Sequence, residues 1–535
     1  MNEKFFSFFS KYGLIIVIII AIFFRFFNLS ITPPGLYPDE AMDGTNAQEA
    51  LSTGHYKVFY PENNGREGLF INIQAFLLKI FNTDQPWVLR SLSAFFGVIT
   101  VIGIYLFVRK IFRRHLYADF MAFLPAFFTA TSFWHINFSR ISFRAIMAPA
   151  FLVWAAYLII CSLEKIREND QKSNSKSQIN SNYQNSESDP KQKKSWNLGF
   201  GAWFLSILGG LVYGLGMHSY IAYRATPVIV MFIYALYWFL YKPNAKKLIL
   251  SFVVFVIASL AVFSPLGIYF IKNPADFFGR TSELSITASA SPLKDLALNT
   301  IKTLGMFDVR GDGNWRHNYS GAPEVYWFVG IFFVMGIILG AIRAIRKIKN
   351  HAYEDEDVLW LISIVWILIA MLPVVISNEG IPHALRSLLM IPAVFMIAGI
   401  GAFAAVSFVS KYIKPNMLYV ILVIIGIGLI VQVYCQYFIL WGNNPNVAGA
   451  FNQNYVNIGN QINAISPAIP KYVVVNAGGV LVRGIPMPSQ TVMFITDTFT
   501  ADKQAAKNVH YVSPDQESTI PKNALVFYLE PEQVK

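Results

Sequence analysis

A chain of 535 residues that is 55% hydrophobic, 16% aromatic and only 14% charged is not an ordinary soluble globular protein; its apolar excess belongs in a bilayer. A net charge of +12 would suit a nucleic-acid binder, but the Lys and Arg cluster in short loops between apolar runs, as the cytoplasmic loops of membrane proteins do. The two cysteines, Cys161 and Cys435, lie inside apolar segments, so no disulfide or cysteine–metal framework follows from them.

Charged residues precede the first apolar run, and no small-residue cleavage site follows Phe27, which predicts a retained membrane helix rather than a signal peptide. With ~20 residues as the spanning length, eleven segments qualify. They lie at about 12–28, 88–108, 117–134, 145–163, 198–217, 225–241, 248–271, 324–342, 358–377, 387–409 and 417–440. Pro265, Pro373 and Pro392 break three of them, which neighbouring helices in a bundle tolerate. Arg109, Lys110, Arg113 and Arg114 fill one short loop, Lys242, Lys246 and Lys247 a second, Arg343, Arg346, Lys347 and Lys349 a third, and Lys411 with Lys414 a fourth. All fall on one side if the N-terminus is cytoplasmic, as the positive-inside rule requires. The opening loop 29–87, the His135–Arg144 and His218–Arg224 turns, the loop 272–323, the Ser377–Arg386 turn and the tail 441–535 then face outward. The cytoplasmic insert 164–197 is rich in Ser, Asn, Gln and Lys, has little apolar surface to bury and is expected to be disordered. In the tail, Gly449–Ile465 predicts an amphipathic helix. Tyr472–Asn476, Thr491–Thr496, Val509–Val512 and Leu525–Leu529 predict strands of a small α/β domain near the lower size limit for an independent core.

The densest polar chemistry sits in the opening loop. Pro38-Asp39-Glu40 leads into a short amphipathic helix predicted over Ala41–Leu51, with Asp39 at or near its N-cap. Adjacent side chains at a helix start diverge, so one carboxylate can face a substrate while the other caps or pairs. A carboxylate that deprotonates a hydroxyl needs partial burial and a nearby acceptor. An acidic cap on a surface helix is the plain alternative, outweighed here by the position between two membrane spans. Further on, Asn64-Gly65-Arg66-Glu67-Gly68 offers a guanidinium for a phosphate and a carboxylate to order it or to meet an acceptor; a turn with a surface ion pair explains the same residues equally well.

Four outward turns repeat Arg and His beside aromatics: Trp134 to Arg140 followed by Arg144, His218 to Arg224 with Tyr220 between, Trp315-Arg316-His317, and His383 to Arg386. Singly each is compatible with side chains snorkelling to headgroups; together they make a pocket for a lipid-linked phosphate. The histidines show no metal-ligand spacing, so no cofactor is expected, and a divalent metal has no support in the pattern. No phosphate-binding glycine loop occurs, which argues against a nucleotide donor.

This order of parts resembles the polytopic GT-C glycosyltransferases, in particular the family 39 protein O-mannosyltransferase and aminoarabinose-transferase-like branch. The resemblance covers about residues 10–440 and rests on Asp39-Glu40 in the first outward loop, an early amphipathic segment, aromatic-rich spans and the Arg/His-bearing turns. It departs at Arg66-Glu67-Gly68, where that branch carries a His-Pro-Pro-like segment, which bears on the acceptor more than on the reaction. It implies a GT-C-type bundle over 1–440 with a small extracytoplasmic domain over 441–535, in a bacterial or archaeal cell membrane. It also implies an inverting glycosyltransferase of the cell envelope, active in processes such as protein glycosylation. A sugar would pass from a polyprenyl phosphate to a hydroxyl of a protein, lipid or glycan acceptor. The expected catalytic groups are Asp39 as base with Glu40 and Glu67 in support. The expected substrate-binding groups are Arg66, Arg140, Arg144, His218, Tyr220, Arg224, Trp315, Arg316, His317, His383 and Arg386. A flippase moving the same lipid without covalent change is the alternative, and a structural envelope partner a weaker one.

Overall fold

The structure is a computed structural model that describes residues 3–181, 199–283, 286, 291–347, 353–377 and 380–530. Among these, nine helices are long and apolar enough to cross a membrane: Ser7–Phe26, Pro86–Ile111, Arg144–Gln171, Ile221–Tyr241, Ala245–Lys272, Trp327–Lys347, Asp355–Val375, Leu388–Val409 and Pro415–Trp441. Two more predicted spans are helices as well, but shorter, at Ala118–Ala130 and Phe200–Gly216. The first is cut short because Ser132 turns the chain, its hydroxyl accepting from the His135 amide at 3.3 Å to cap a separate helix, Phe133–Phe138. The bundle closes through small residues. A side chain at Gly336 or Gly401 would strike the Ile397 or Phe332 carbonyl, so these two glycines let Trp327–Lys347 and Ile391–Val409 touch backbone to backbone.

Two segments between spans carry more helix than expected. Helix Met147–Ser181 runs into the insert 164–197 instead of ending before it. Arg113 anchors the first turns of that insert by pairing with Glu164 and, at 2.6 Å, with Glu168. The rest of the insert lies outside the described residues. The loop 272–323 is half helical, with Pro274–Glu283 and Pro292–Gly305.

The opening loop folds inward. Its helix begins at Pro38, in the first-turn position that proline favours, and runs to Thr53, where Gly54 takes a left-handed φ of 73°. Asp39 therefore lies inside the first turn, and Tyr37 holds the cap position expected for it. Strand β1 (Phe59–Tyr60) then pairs antiparallel with β2 (Arg66–Glu67), and helix Gly68–Phe81 leads back to the bundle.

The tail is not free-standing. Strands β3 (Lys471–Val475), β6 (Val509–Val512) and β7 (Leu525–Leu529) form a parallel sheet with β3 central, and a small hairpin, β4 (Leu481–Val482) with β5 (Ile485–Pro486), lies between β3 and β6 in sequence. Thr491–Thr496, expected as a strand from its β-branched residues, belongs to helix Ser489–Thr496. Tertiary packing overrides propensity there: Phe494 is fully buried against Gly44, where a Cβ would meet its ring at 2.6 Å. The predicted helix Gly449–Ile465 is two, Pro445–Ala450 and Gln453–Asn463. Met42 of the opening helix sits in the tail's own hydrophobic core. Thr45 donates to Gln490 Oε1 at 3.1 Å and Thr491 to the Leu36 carbonyl at 2.9 Å.

Candidate active site

Where the opening helix, the Arg- and His-bearing turns and the tail meet there is a cavity of about 540 Å³. The first turn of helix Pro38–Thr53 puts Asp39 on its wall, half-buried, with one carboxylate oxygen accepting from Asn63 Nδ2 at 2.7 Å. Asn63 and Asn64 have φ of 54° and 61°, a left-handed conformation that asparagine tolerates, and this turn brings the chain back antiparallel so that Arg66 faces Asp43. Arg66 donates to Asp43 Oδ1 at 2.5 Å and to Asn46 Oδ1 at 2.7 Å. Burial pushes the Asp43 carboxyl above its ordinary pKa, against the pull of Arg66 and then Arg144.

The turns supply the remaining walls. Arg144 and Tyr220 line the cavity, and Arg144 Nε donates to Glu67 Oε2 at 2.8 Å. Arg316 enters from the far side with its guanidinium carbon 3.6 Å from the centre of the Tyr37 ring, a cation–π stack, and its Nε has no hydrogen-bond partner. The tail closes the rim with Ala477, Gly478, Gly479 and Val480, the loop after the carboxyl end of central strand β3, where open parallel sheets place ligands. Pairing within the wall cancels most of its charge, Arg66 with Asp43 and Arg144 with Glu67. Among the described residues, Asp39 and Arg316 line this cavity with no ion pair.

The other expected site residues are placed elsewhere. Glu40, next to Asp39, is 0% exposed. Its Oε2 accepts from Arg90 Nε at 3.0 Å and the Ser142 amide at 2.8 Å, and its Oε1 from Arg90 Nη2 at 3.2 Å and the Tyr37 amide at 3.3 Å. It fastens the opening loop to the bundle and does not line the cavity. Glu67 stands behind Arg144 and 3.8 Å from Arg224, which donates to the Phe277 carbonyl at 2.9 Å and stacks on Phe277. Arg140 is buried, donating to the carbonyls of Phe24, Arg25 and Thr32 and stacking on Phe438. His218 contacts the Val262 carbonyl at 3.0 Å, Trp315 meets Tyr319 edge to face, and Arg386 donates to the Ser377 hydroxyl. Neutralised or carbonyl-bound groups of this kind order the wall more than they contact a substrate.

His317 and His383 converge on Asp312, a grouping the spacing of the histidines did not suggest, because Asp312 comes from a turn with no recognisable motif. Among the described residues, these three form the group that could hold a metal ion. Also missed were Asn63, Tyr37, Asp43 and the Ala477–Val480 loop; only Asp43, one turn beyond Asp39 on the same helix, carried a readable signal.

No protein-family model and no curated protein sequence matches the chain. Solved structures do. The apo oligosaccharyltransferase of Archaeoglobus fulgidus superposes with a TM-score of 0.56 at 12% identity, over 96% of this chain and 66% of that one. AglB from the same organism, in complex with an inhibitory peptide and a dolichol-phosphate, gives 0.53 at 13% identity, over 91% and 64%. The fold is of the GT-C type. The chain spans just under two thirds of the length of those archaeal enzymes. ArnT from Cupriavidus metallidurans in the apo state also superposes, at 0.49 and 13% identity, over 97% of this chain and 90% of that one.

Proposed function

We propose that the protein is a glycosyltransferase that moves a sugar from a polyprenyl phosphate to an acceptor hydroxyl at the outer face of the membrane. The observation that carries this reading is the charge pattern of the cavity: an unpaired carboxylate, Asp39, and an unpaired guanidinium, Arg316, share a chamber whose other charges cancel. The GT-C fold supports it, and the archaeal enzyme with that fold was solved with a dolichol-phosphate bound.

Asp39 takes the proton of the acceptor hydroxyl, held ready by the Asn63 hydrogen bond. The acceptor oxygen attacks the anomeric carbon and the bond to the phosphate oxygen breaks. The electron pair leaves with the polyprenyl phosphate, whose developing charge falls on Arg316, with Arg66 and Arg144 beside it. A single displacement inverts the anomeric centre. Glu67 holds Arg144 in place, and the Gly478–Gly479 loop offers main-chain groups to the acceptor.

The test is release of polyprenyl phosphate from polyprenyl-phosphate hexoses or pentoses by the purified protein with a mixed acceptor set. Wild type releases it and Asp39→Asn does not. A wild-type protein that releases nothing from any donor, yet moves the lipid between leaflets, is a flippase and sinks the proposal.

A further inference from the structure

We propose that Asp312, His317 and His383 form a binding site for a divalent transition-metal ion of the zinc class. The ion ties the loop after helix Pro292–Gly305 to the turn before Leu388, behind the wall that carries Arg316.

The geometry is that of a site one short adjustment from closure. His317 Nδ1 lies 2.9 Å and His383 Nδ1 3.9 Å from the same Asp312 oxygen, Oδ2, and the two imidazole centres are 4.9 Å apart. A tetrahedral zinc with bonds of about 2.0–2.1 Å separates its ligands by about 3.3 Å, between those two distances. The carboxylate is fixed from outside: Oδ1 accepts from the Asn314 amide at 2.8 Å, Oδ2 from the Ala384 amide at 2.9 Å, and the Asp312 amide donates to Glu324 at 2.9 Å. Metal ligands are commonly oriented by such outer bonds.

A hydrogen-bonded Asp–His pair would explain His317 but not His383. The Nδ1 of His383 is buried without a hydrogen-bond partner, an arrangement that is costly unless something fills it. Two imidazoles and one carboxylate favour zinc over magnesium or calcium, which need oxygen donors. Binding needs no net proton release from neutral imidazoles: the proton His317 offers Asp312 from Nδ1 moves to Nε2. Three protein ligands leave a fourth position for water. His383 is 15% exposed at its side chain, which gives the ion a way in. Arg316 and Arg386 press on the histidines from nearby and oppose the ion, which sets its affinity below that of a four-ligand structural zinc.

The experiment is metal analysis of the full chain, purified in detergent without a polyhistidine tag, stripped with a chelator, loaded with zinc chloride and gel-filtered. Wild type is expected to retain about one zinc per chain, and His383→Ala and His317→Gln less than about a tenth. His55→Ala, at an exposed position, retains the wild-type amount. Because a variant can fail to fold, stripped wild type is also loaded with cobalt(II), whose tetrahedral absorption bands report the ligand set directly. Retention below a tenth of an equivalent by wild type, cobalt bands of an octahedral aqua ion, or equal retention in folded His383→Ala overturns the proposal.

Discussion

Asp39 and Glu40 are neighbours with opposite expected fates. In Glu40→Gln the amide replaces a carboxylate whose two oxygens each accept from one Arg90 nitrogen and one main-chain amide. Whichever way the amide turns, its NH2 points at two donors, and Arg90, 1% exposed, loses its counter-charge. Breaking a buried ion pair by removing one partner costs about 3–5 kcal/mol; the Pro33 and Gly35 carbonyls that also hold Arg90 place the value toward the lower end. Asp39→Asn keeps the side chain's size and its one hydrogen bond, so stability changes by less than about 1 kcal/mol, while turnover falls by about 10²–10⁴ if the general base is lost. The assay pairs thermal inactivation, followed by gel filtration of detergent-solubilised protein, with release of polyprenyl phosphate. If Glu40→Gln melts like wild type but is inactive, or Asp39→Asn is the less stable of the two, the two carboxylates do not divide structure and catalysis between them.

Arg316→Met is expected to lower turnover by about 10²–10³ without a matching rise in KM, because its charge meets a leaving group and not the ground state; an unchanged kcat assigns the phosphate to Arg66 or Arg144 instead. Phe494→Ala opens a void between the tail and Gly44 and is expected to cost about 3–5 kcal/mol, read as a lower inactivation temperature; no change would show that the tail contributes nothing to the opening helix. Arg483 donates to Glu49 and Glu62, both at 2.8 Å. Burial pushes the Glu62 carboxyl up, but Arg483 outweighs it and holds it below its ordinary value of 4.5. A depressed carboxylate stabilises fully above that value and loses its contribution as pH falls through the lowered one. Protection of the Leu481–Pro486 hairpin amides, taken relative to the intrinsic exchange rate at each pH, should therefore fall below pH 4.5 in wild type, and be low at every pH in Arg483→Met.

Apolar length alone located every span, because a bilayer imposes one simple requirement on twenty residues at a time. It overestimated Ala118–Ala130, where a serine cap rather than hydropathy decides the end. The Asp-Glu pair marked the site, but which carboxylate faces the cavity depends on helix phase relative to Arg90, fifty residues on, and no local pattern encodes that. Arg140 and Arg316 are alike in sequence, each beside aromatics in a turn between apolar runs. Only the fold sends the first to backbone carbonyls and the second to the chamber. The strand expected at Thr491–Thr496 failed for a related reason: its β-branched residues are outvoted by a partner helix 445 residues earlier in the chain.

That separation has a consequence for biogenesis. The side chains that seat Met42 and Thr45 leave the ribosome about 20–90 s after the helix itself at ordinary translation rates. By then the nine spans found among the described residues have all been made, yet the helix bearing Asp39 has had no lid to rest on. A nascent or truncated chain would sit in the bilayer fully threaded and still be inert.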